Sequence, residues 1–352
     1  MLPNEDQKVI NIITTHPSLS SKAIWEVLKK KQKGTVMSYA TLKRRLNSLV
    51  SNRLINSVGK GRGTKYIISQ EFQLLNPFGI ENYFTQNMGE RNAKTSFNFD
   101  LIKNVLSSAN LFTTEELNIL NELQEEYTES INKLSATENR KALEHLSIDL
   151  SWKSSEIEGN TYTLLETEAL LKNKETAQGK TMEEANMLLN HKKAIDFLIQ
   201  EKNYLNPLSV AKIENIHSLL VKNLDIDKNI RQGIVSVTGT NYKPLDNEYQ
   251  IREALESMCD LINNKENVFE KALLALVLIS YIQAFADGNK RTARIISNGI
   301  LIENKFCPIS FVTINSIEYK KAMLIFYEQN NISAFKRIFI DQFEYAAITY
   351  FS

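Results

Sequence analysis

A mainly α-helical protein, built from a helical body preceded by a small mixed domain, is what the sequence predicts, and three observations carry the prediction. From residue 111 onward the apolar residues recur at helical spacing in one segment after another, as in ELNILNELQEEYTESINKLSA and YQIREALESMCDLINN. The first 69 residues stand apart in charge: they hold 13 Lys or Arg against 3 Asp or Glu, a net +10. The other 283 residues carry −9, which leaves +1 for the whole chain of 352. A chain with 43% apolar residues has enough to bury a core in each part.

In the N-terminal part, DQKVINIITTH brings Val9, Ile10, Ile12 and Ile13 to one side of a helix, and LSSKAIWEVLKKK does the same with Ala23, Ile24, Val27 and Leu28. SYATLKRRLNSLVSNRLI follows with Leu42, Leu46, Leu49 and Val50 in register, and Ser38 stands where an N-cap is expected. INSVGKGRGTKYII alternates about a glycine-rich turn and predicts a β-hairpin. Helix, helix, basic helix and basic hairpin over residues 1–69 resemble a winged helix-turn-helix domain. The cations Lys43, Arg44 and Arg45 of its recognition helix and Lys60, Arg62 and Lys65 of its wing suit the phosphates of duplex DNA, with Ser38, Tyr39 and Thr41 near base edges. The alternative use of such a domain is protein contact, including a homodimer.

Residues 70–110 read as a connecting arm, and 111–352 as the helical domain. Within that domain QGIVSVTGTNYKPL, residues 232–245, has strand-like composition, with Gly239 as the turn and Pro244 as terminator, and predicts a small hairpin. Several classes of protein are excluded. The apolar run Ala272 to Ala286 is 15 residues long, short of the ~18 to 20 a spanning helix needs, so no membrane partner is expected. MLPNEDQKVI has no basic region followed by an apolar one, which predicts a cytoplasmic protein. Cys259 and Cys307, without CxxC partners, suggest neither a disulfide framework nor a zinc site.

The richest stretch is YIQAFADGNKRTAR, Tyr281 to Arg294, where an apolar helix meets a turn at Asp287-Gly288-Asn289 and leaves through Lys290, Arg291 and Arg294. A helix N-terminus offers unpaired N–H groups and a positive dipole end, and Gly288 lets an anion approach the backbone. Three cations crowded there conflict with the dipole unless an anion joins them. Arg291 and Arg294, three apart, share a helix face and suit bidentate contact with phosphate, and Asp287 supplies the hard oxygen that Mg²⁺ prefers. The pattern predicts a triphosphate cradle.

These residues closely resemble the Fic motif, H-x-F-x-D/E-G-N-G/K-R-x-x-R, with matches at Phe285, Asp287, Gly288, Asn289, Lys290, Arg291 and Arg294. The resemblance covers roughly residues 75–352. It implies ATP and Mg²⁺ as ligands and transfer of AMP to Ser, Thr or Tyr hydroxyls of a protein substrate. It also implies Asp287 on the metal, Gly288 and Asn289 at the α-phosphate, Arg291 and Arg294 on the outer phosphates, and Tyr319 by the adenine. SSEIEGN fits the family's self-inhibition motif at Ser154, Glu158 and Gly159, which implies that Glu158 pairs with Arg294 in the place of the γ-phosphate. The stretch 232–245 resembles the flap that docks the target by strand addition, through Val237, Thr238, Gly239 and Thr240. Lys290, where glycine is commoner, is similar to Doc-like relatives that transfer phosphate, whereas Gly288 keeps the room AMP transfer needs.

One position departs from the motif: Gln283 stands where the family has histidine. That histidine takes the proton of the attacking hydroxyl, which needs a pKa near neutrality; a glutamine amide cannot take it. None of the four histidines supplies a substitute by sequence: His16 lies in the N-terminal domain, His145 and His191 on other helices, and His217 between apolar residues. The expected function is a self-inhibited protein adenylyltransferase whose activity is weak or absent. The alternative is a DNA-binding regulator that uses the Fic-like domain as a nucleotide-sensing or dimerising module.

Overall fold

Residues 3–31 and 37–351 are described by the computed structural model, which divides into two units, Met1–Pro77 and Phe78–Ser352. In the first, the apolar spacing produces α1 (Asn4–Thr15), α2 (Ser21–Lys31) and α3 (Tyr39–Ser51), and Ser38 caps α3 by accepting from the Thr41 amide at 3.1 Å. Strands β1 (Leu19–Ser20), β2 (Ile55–Val58) and β3 (Lys65–Ile68) form an antiparallel sheet in the order β1-β3-β2, with Ile55 opposite Ile68 and Leu19 opposite Tyr66. Val9, Ile13, Ile24, Leu42, Leu46 and Ile55 meet in one core, and such burial contributes about 1.5–3 kcal/mol per large aliphatic side chain. Helix α4 (Gln70–Leu75) closes the unit.

The outer face of this unit is basic. Lys43, Arg44, Lys60 and Lys65 are exposed, whereas Arg45 turns back and pairs with Asp6 at 2.7 Å. The side chain of Arg62 lies outside the described residues.

The second unit runs through α5 (Ile80–Phe84), a π-helical turn at Leu101–Val105, α6 (Leu106–Ser108), α7 (Thr114–Lys133), α8 (Ala136–Ile157), α9 (Leu164–Asn173) and α10 (Met182–Gln200). It continues with α11 (Val210–Leu220), α12 (Glu248–Asn264), α13 (Val268–Ile282), α14 (Asn289–Glu303), α15 (Ser316–Gln329) and α16 (Ser333–Thr349). Capping boxes start α7 to α10: Thr113 with Glu116, Ser135 with Glu138, Thr163 with Glu166, and Thr181 with Glu184 each satisfy two otherwise orphaned amides. From Phe269 to Ile282 every residue of α13 but Lys271 is buried, as expected of a helix apolar on all sides. α14 packs against it and against α8, α10 and α11. No helix among the described residues is long and apolar enough to cross a membrane.

The expected hairpin at 232–245 is corrected by the structure. Among the described residues this stretch contains no strand, only a single bridge from Lys243 to Ser96. The reason lies in tertiary contacts that compete for its second leg. The Lys243 amide donates to the Thr95 carbonyl at 2.9 Å, Asn241 donates to Met88 O at 3.1 Å, and buried Tyr242 donates to Tyr281 O at 2.9 Å. The arm thus takes the bonds that the first leg would have needed, and the first leg is left largely exposed. Buried Arg231 gathers the feet of the loop, donating to the carbonyls of Gly233 and Leu245.

Candidate phosphate-binding site

α13 stops at Gln283, whose backbone is left-handed at φ 53°, and the turn that follows reaches Gly288 at φ 80°. A Cβ at Gly288 would lie 3.1 Å from His217 Cε1, so conformation and space both call for glycine. α14 begins there without a side-chain cap, which leaves the amides of its first turn to a ligand. Asn289 ties the turn together: its Oδ1 accepts from the Phe285 amide at 2.9 Å, and its Nδ2 donates to Phe285 O at 2.8 Å and to Gln283 Oε1 at 3.2 Å. Gln283 in turn donates to Ser280 O at 2.6 Å, and Arg231 Nε reaches Gln283 O at 2.7 Å.

A cavity of about 590 Å³ opens over this turn. Gln283 and the backbone from Ala286 to Lys290 form its floor, Val235 to Gly239 one side, and Leu324 and Tyr327 another. Val237, Thr238 and Gly239 therefore line it, while Thr240 is buried and bonds the Tyr242 amide. Arg91 of the arm donates to Gly239 O at 3.1 Å and lies on the same wall.

Glu158, the C-cap of α8, lines the cavity just before the chain turns at Gly159, which has φ 102°. Its Oε1 accepts from Arg294 Nη2 and its Oε2 from Lys290 Nζ, both at 2.8 Å. Arg294 is fully buried and fixed from behind by Ser154, whose Oγ accepts from Nε at 2.8 Å and whose carbonyl accepts from Nη2 at 2.9 Å. Burial alone would raise the Glu158 pKa; the charges of Arg294 and Lys290 outweigh it and hold the carboxyl at about 2. A carboxyl whose pKa is lower folded than unfolded stabilises the fold above the unfolded value, and the gain is lost as pH falls toward the folded one. The unfolding difference between the native chain and Glu158→Gln is thus expected to hold from pH 8 to 5 and to shrink below about 4.5, toward 2. Denaturant melts at stepped pH check this, and a difference already gone at pH 6 contradicts it.

Arg291 is also buried, with Nη2 on Asp287 Oδ2 at 3.0 Å. Its Nε and Nη1, and Nη1 of Arg294, have no protein partner. Buried guanidinium donors left in this state are ready for an anion. Asp287 is largely exposed and is a single hard-oxygen donor, which fits Mg²⁺ held mainly by phosphate and water.

Four expected nucleotide contacts lie off the cavity wall: buried Arg291 and Arg294, which sit behind Asp287 and Glu158, and two aromatic residues. Phe285 is buried and stacks on His217 with centroids 3.7 Å apart. Tyr319 is buried beneath Arg294, whose guanidinium stands 5.2 Å from its ring centre. Neither is among the residues that line the cavity, nor are the buried histidines His191 and His217. Burial lowers both of their pKa values, that of His217 to about 4, so both are neutral at pH 7. Lys290 on Glu158, Arg231 under Gln283 and Arg91 on Gly239 were not visible in the sequence, since each bond joins residues from separate elements.

The helical body thus presents an uncapped helix start under an extended loop, with buried guanidinium groups behind it. The Fic/DOC family model matches residues 207–301, and the chain carries a domain of that family. It is 28% identical over 170 residues to protein adenylyltransferase fic-1 of Caenorhabditis elegans, a match spanning 46% of this chain and 33% of that protein. To protein adenylyltransferase Fic of Nematostella vectensis it is 28% identical over 166 residues, spanning 45% and 38%. The chain thus spans about a third of the length of these curated relatives. The solved structure of Fic-1 (residues 134–508) from C. elegans superposes with TM-score 0.58 at 23% identity, over 67% of this chain and 72% of that one. A Fic-domain signaling protein from Bacteroides thetaiotaomicron gives 0.55 at 19%, over 66% and 94%. These likenesses show the fold.

Proposed function

We propose that the chain is a self-inhibited protein adenylyltransferase whose chemistry is muted at Gln283. The observation that carries this reading is the convergence on one cavity of left-handed Gly288, the uncapped start of α14 and the Glu158 carboxylate seated on Arg294 and Lys290. The names of the curated relatives supply the group transferred and the protein acceptor. ATP enters with its phosphates over Gly288 and Asn289 when Glu158 withdraws, and Arg294, kept in place by Ser154, takes the outer phosphate. Asp287 would hold Mg²⁺, which would supply charge neutralisation at the phosphates. A Ser, Thr or Tyr hydroxyl of a protein segment laid along Val237 to Gly239 attacks the α-phosphorus. The new O–P bond forms as the bond to pyrophosphate breaks, and the hydroxyl proton passes to water, because the amide of Gln283 cannot hold it.

ATP labelled at the α or the γ position tests the group that moves. With Glu158→Gly protein, label on Ser, Thr or Tyr only from the α position is expected. Label only from the γ position would assign phosphate transfer instead.

A second reading applies to the first unit, and the +10 charge of residues 1–69 with the exposed Lys43 and Arg44 favours it. We propose a winged helix that binds duplex DNA weakly through phosphates. Fluorescence anisotropy is expected to show binding that falls steeply with salt, because each phosphate contact releases counterions, and to lose it in Lys43→Glu/Arg44→Glu. No binding at low salt would remove DNA from the account.

A further inference from the structure

We propose that Lys290 is a second clamp on Glu158: a positioning residue that holds the carboxylate over the cavity and changes partner to phosphate when Glu158 leaves. The proposal rests on the nucleotide reading of the cavity. Each Glu158 oxygen has its own cation at 2.8 Å, but the two cations are not equivalent. Arg294 is fully buried and bonded twice to Ser154, so it stays where it is whether Glu158 is present or absent. Lys290 sits on the first turn of α14, lines the cavity, is about a quarter exposed, and carries its charge on a flexible four-carbon stem. Removing Glu158 leaves its ammonium without its carboxylate beside the N-terminus of α14, a position the helix dipole disfavours and a phosphate relieves. Where the family motif has glycine at this position, this cation does not exist. The closed state of this chain therefore has a holding contact that a glycine-bearing relative lacks.

The consequence is a reversal of sign. In the native chain, Lys290→Met removes one of the two groups retaining Glu158, and ATP binding is expected to tighten by about fivefold. In a Glu158→Gly background the same change removes a phosphate partner, and ATP binding is expected to weaken by about as much. Titration calorimetry of Mg·ATP into the full chain in the four combinations reads both. Weakening in both backgrounds would make Lys290 a plain phosphate ligand, and no change in either would make it a surface cation; both overturn the proposal. If none of the four binds ATP, the nucleotide reading has failed, and the clamp is still decided by denaturant unfolding of Lys290→Met, Glu158→Gln and the double variant. Coupling of about fivefold in the unfolding constant supports it, and strictly additive effects overturn it.

Discussion

Gln283→His is expected to raise the rate of AMP transfer by about 10² or more when both forms carry Glu158→Gly, since a positioned general base contributes about 10²- to 10⁴-fold. The side chain at this position lines the cavity floor beside Asn289 and Tyr327. The glutamine amide there is occupied: Nε2 donates to Ser280 O and Oε1 accepts from Asn289 Nδ2. Gly288, Arg291 and Arg294 make no hydrogen bond to the Gln283 side chain, and Asn289 loses one bond while keeping its two to Phe285, so the change acts chiefly on proton transfer. The glutamine form keeps positioning and phosphate stabilisation and is expected to retain a trace of activity. Mass spectrometry of self-modified Ser, Thr and Tyr over time gives both rates. Equal rates would show that water or another group takes the proton equally well in both, and the reading of position 283 would be wrong.

Glu158→Gly is expected to tighten ATP binding by at least about tenfold while changing AMP binding little. A carboxylate and a γ-phosphate compete for the same guanidinium donors, and a competitor removed benefits only the ligand that needs its place. Glu158 occupies Arg294 Nη2 and Lys290 Nζ, and AMP has no phosphate that reaches them in the proposed pose. Because Glu158 stays ionised down to about pH 2, acidification within the usual working range does not relieve the restraint. At the same α8 terminus, Ser316 donates to the neighbouring Glu156 at 2.9 Å. Calorimetry with ATP and AMP decides the matter, and an equal change for both nucleotides would mean that Glu158 acts only through general stability.

What could be read from the sequence followed from local patterns with strong physical signatures. The period of α13, the glycine-asparagine turn and the cation run of α14 lie within 27 consecutive residues, so their arrangement needed no long-range knowledge. The capping boxes of α7 to α10 are equally local. What escaped was set by tertiary competition. The composition of 232–245 suits strands, yet the bonds of its second leg go to residues 88–96, whose proximity nothing in the stretch announces. Arg45, one of three successive cations on α3, differs from Lys43 and Arg44 only in facing Asp6. Tyr319 lies where the α15 spacing buries it, behind the arginine and away from the cavity. Lys290 follows the same rule: its neighbour on Glu158 comes from a helix more than 130 residues earlier.

The left-handed backbone of Gln283 bears on how a lineage with this fold can change. Most residues are strained at φ 53°, and histidine, asparagine and aspartate tolerate such geometry better than most. The main chain at this position is held by its amide on Ile279 O and by Arg231 on its carbonyl, neither of which uses the side chain, while the side-chain amide adds bonds to Ser280 O and Asn289 Nδ2. On the proposed function, exchanging glutamine for a proton acceptor here keeps these main-chain bonds and gives up only those of the side-chain amide. On that reading, chemistry and architecture can evolve separately at this point, with the muted form one substitution from an active one.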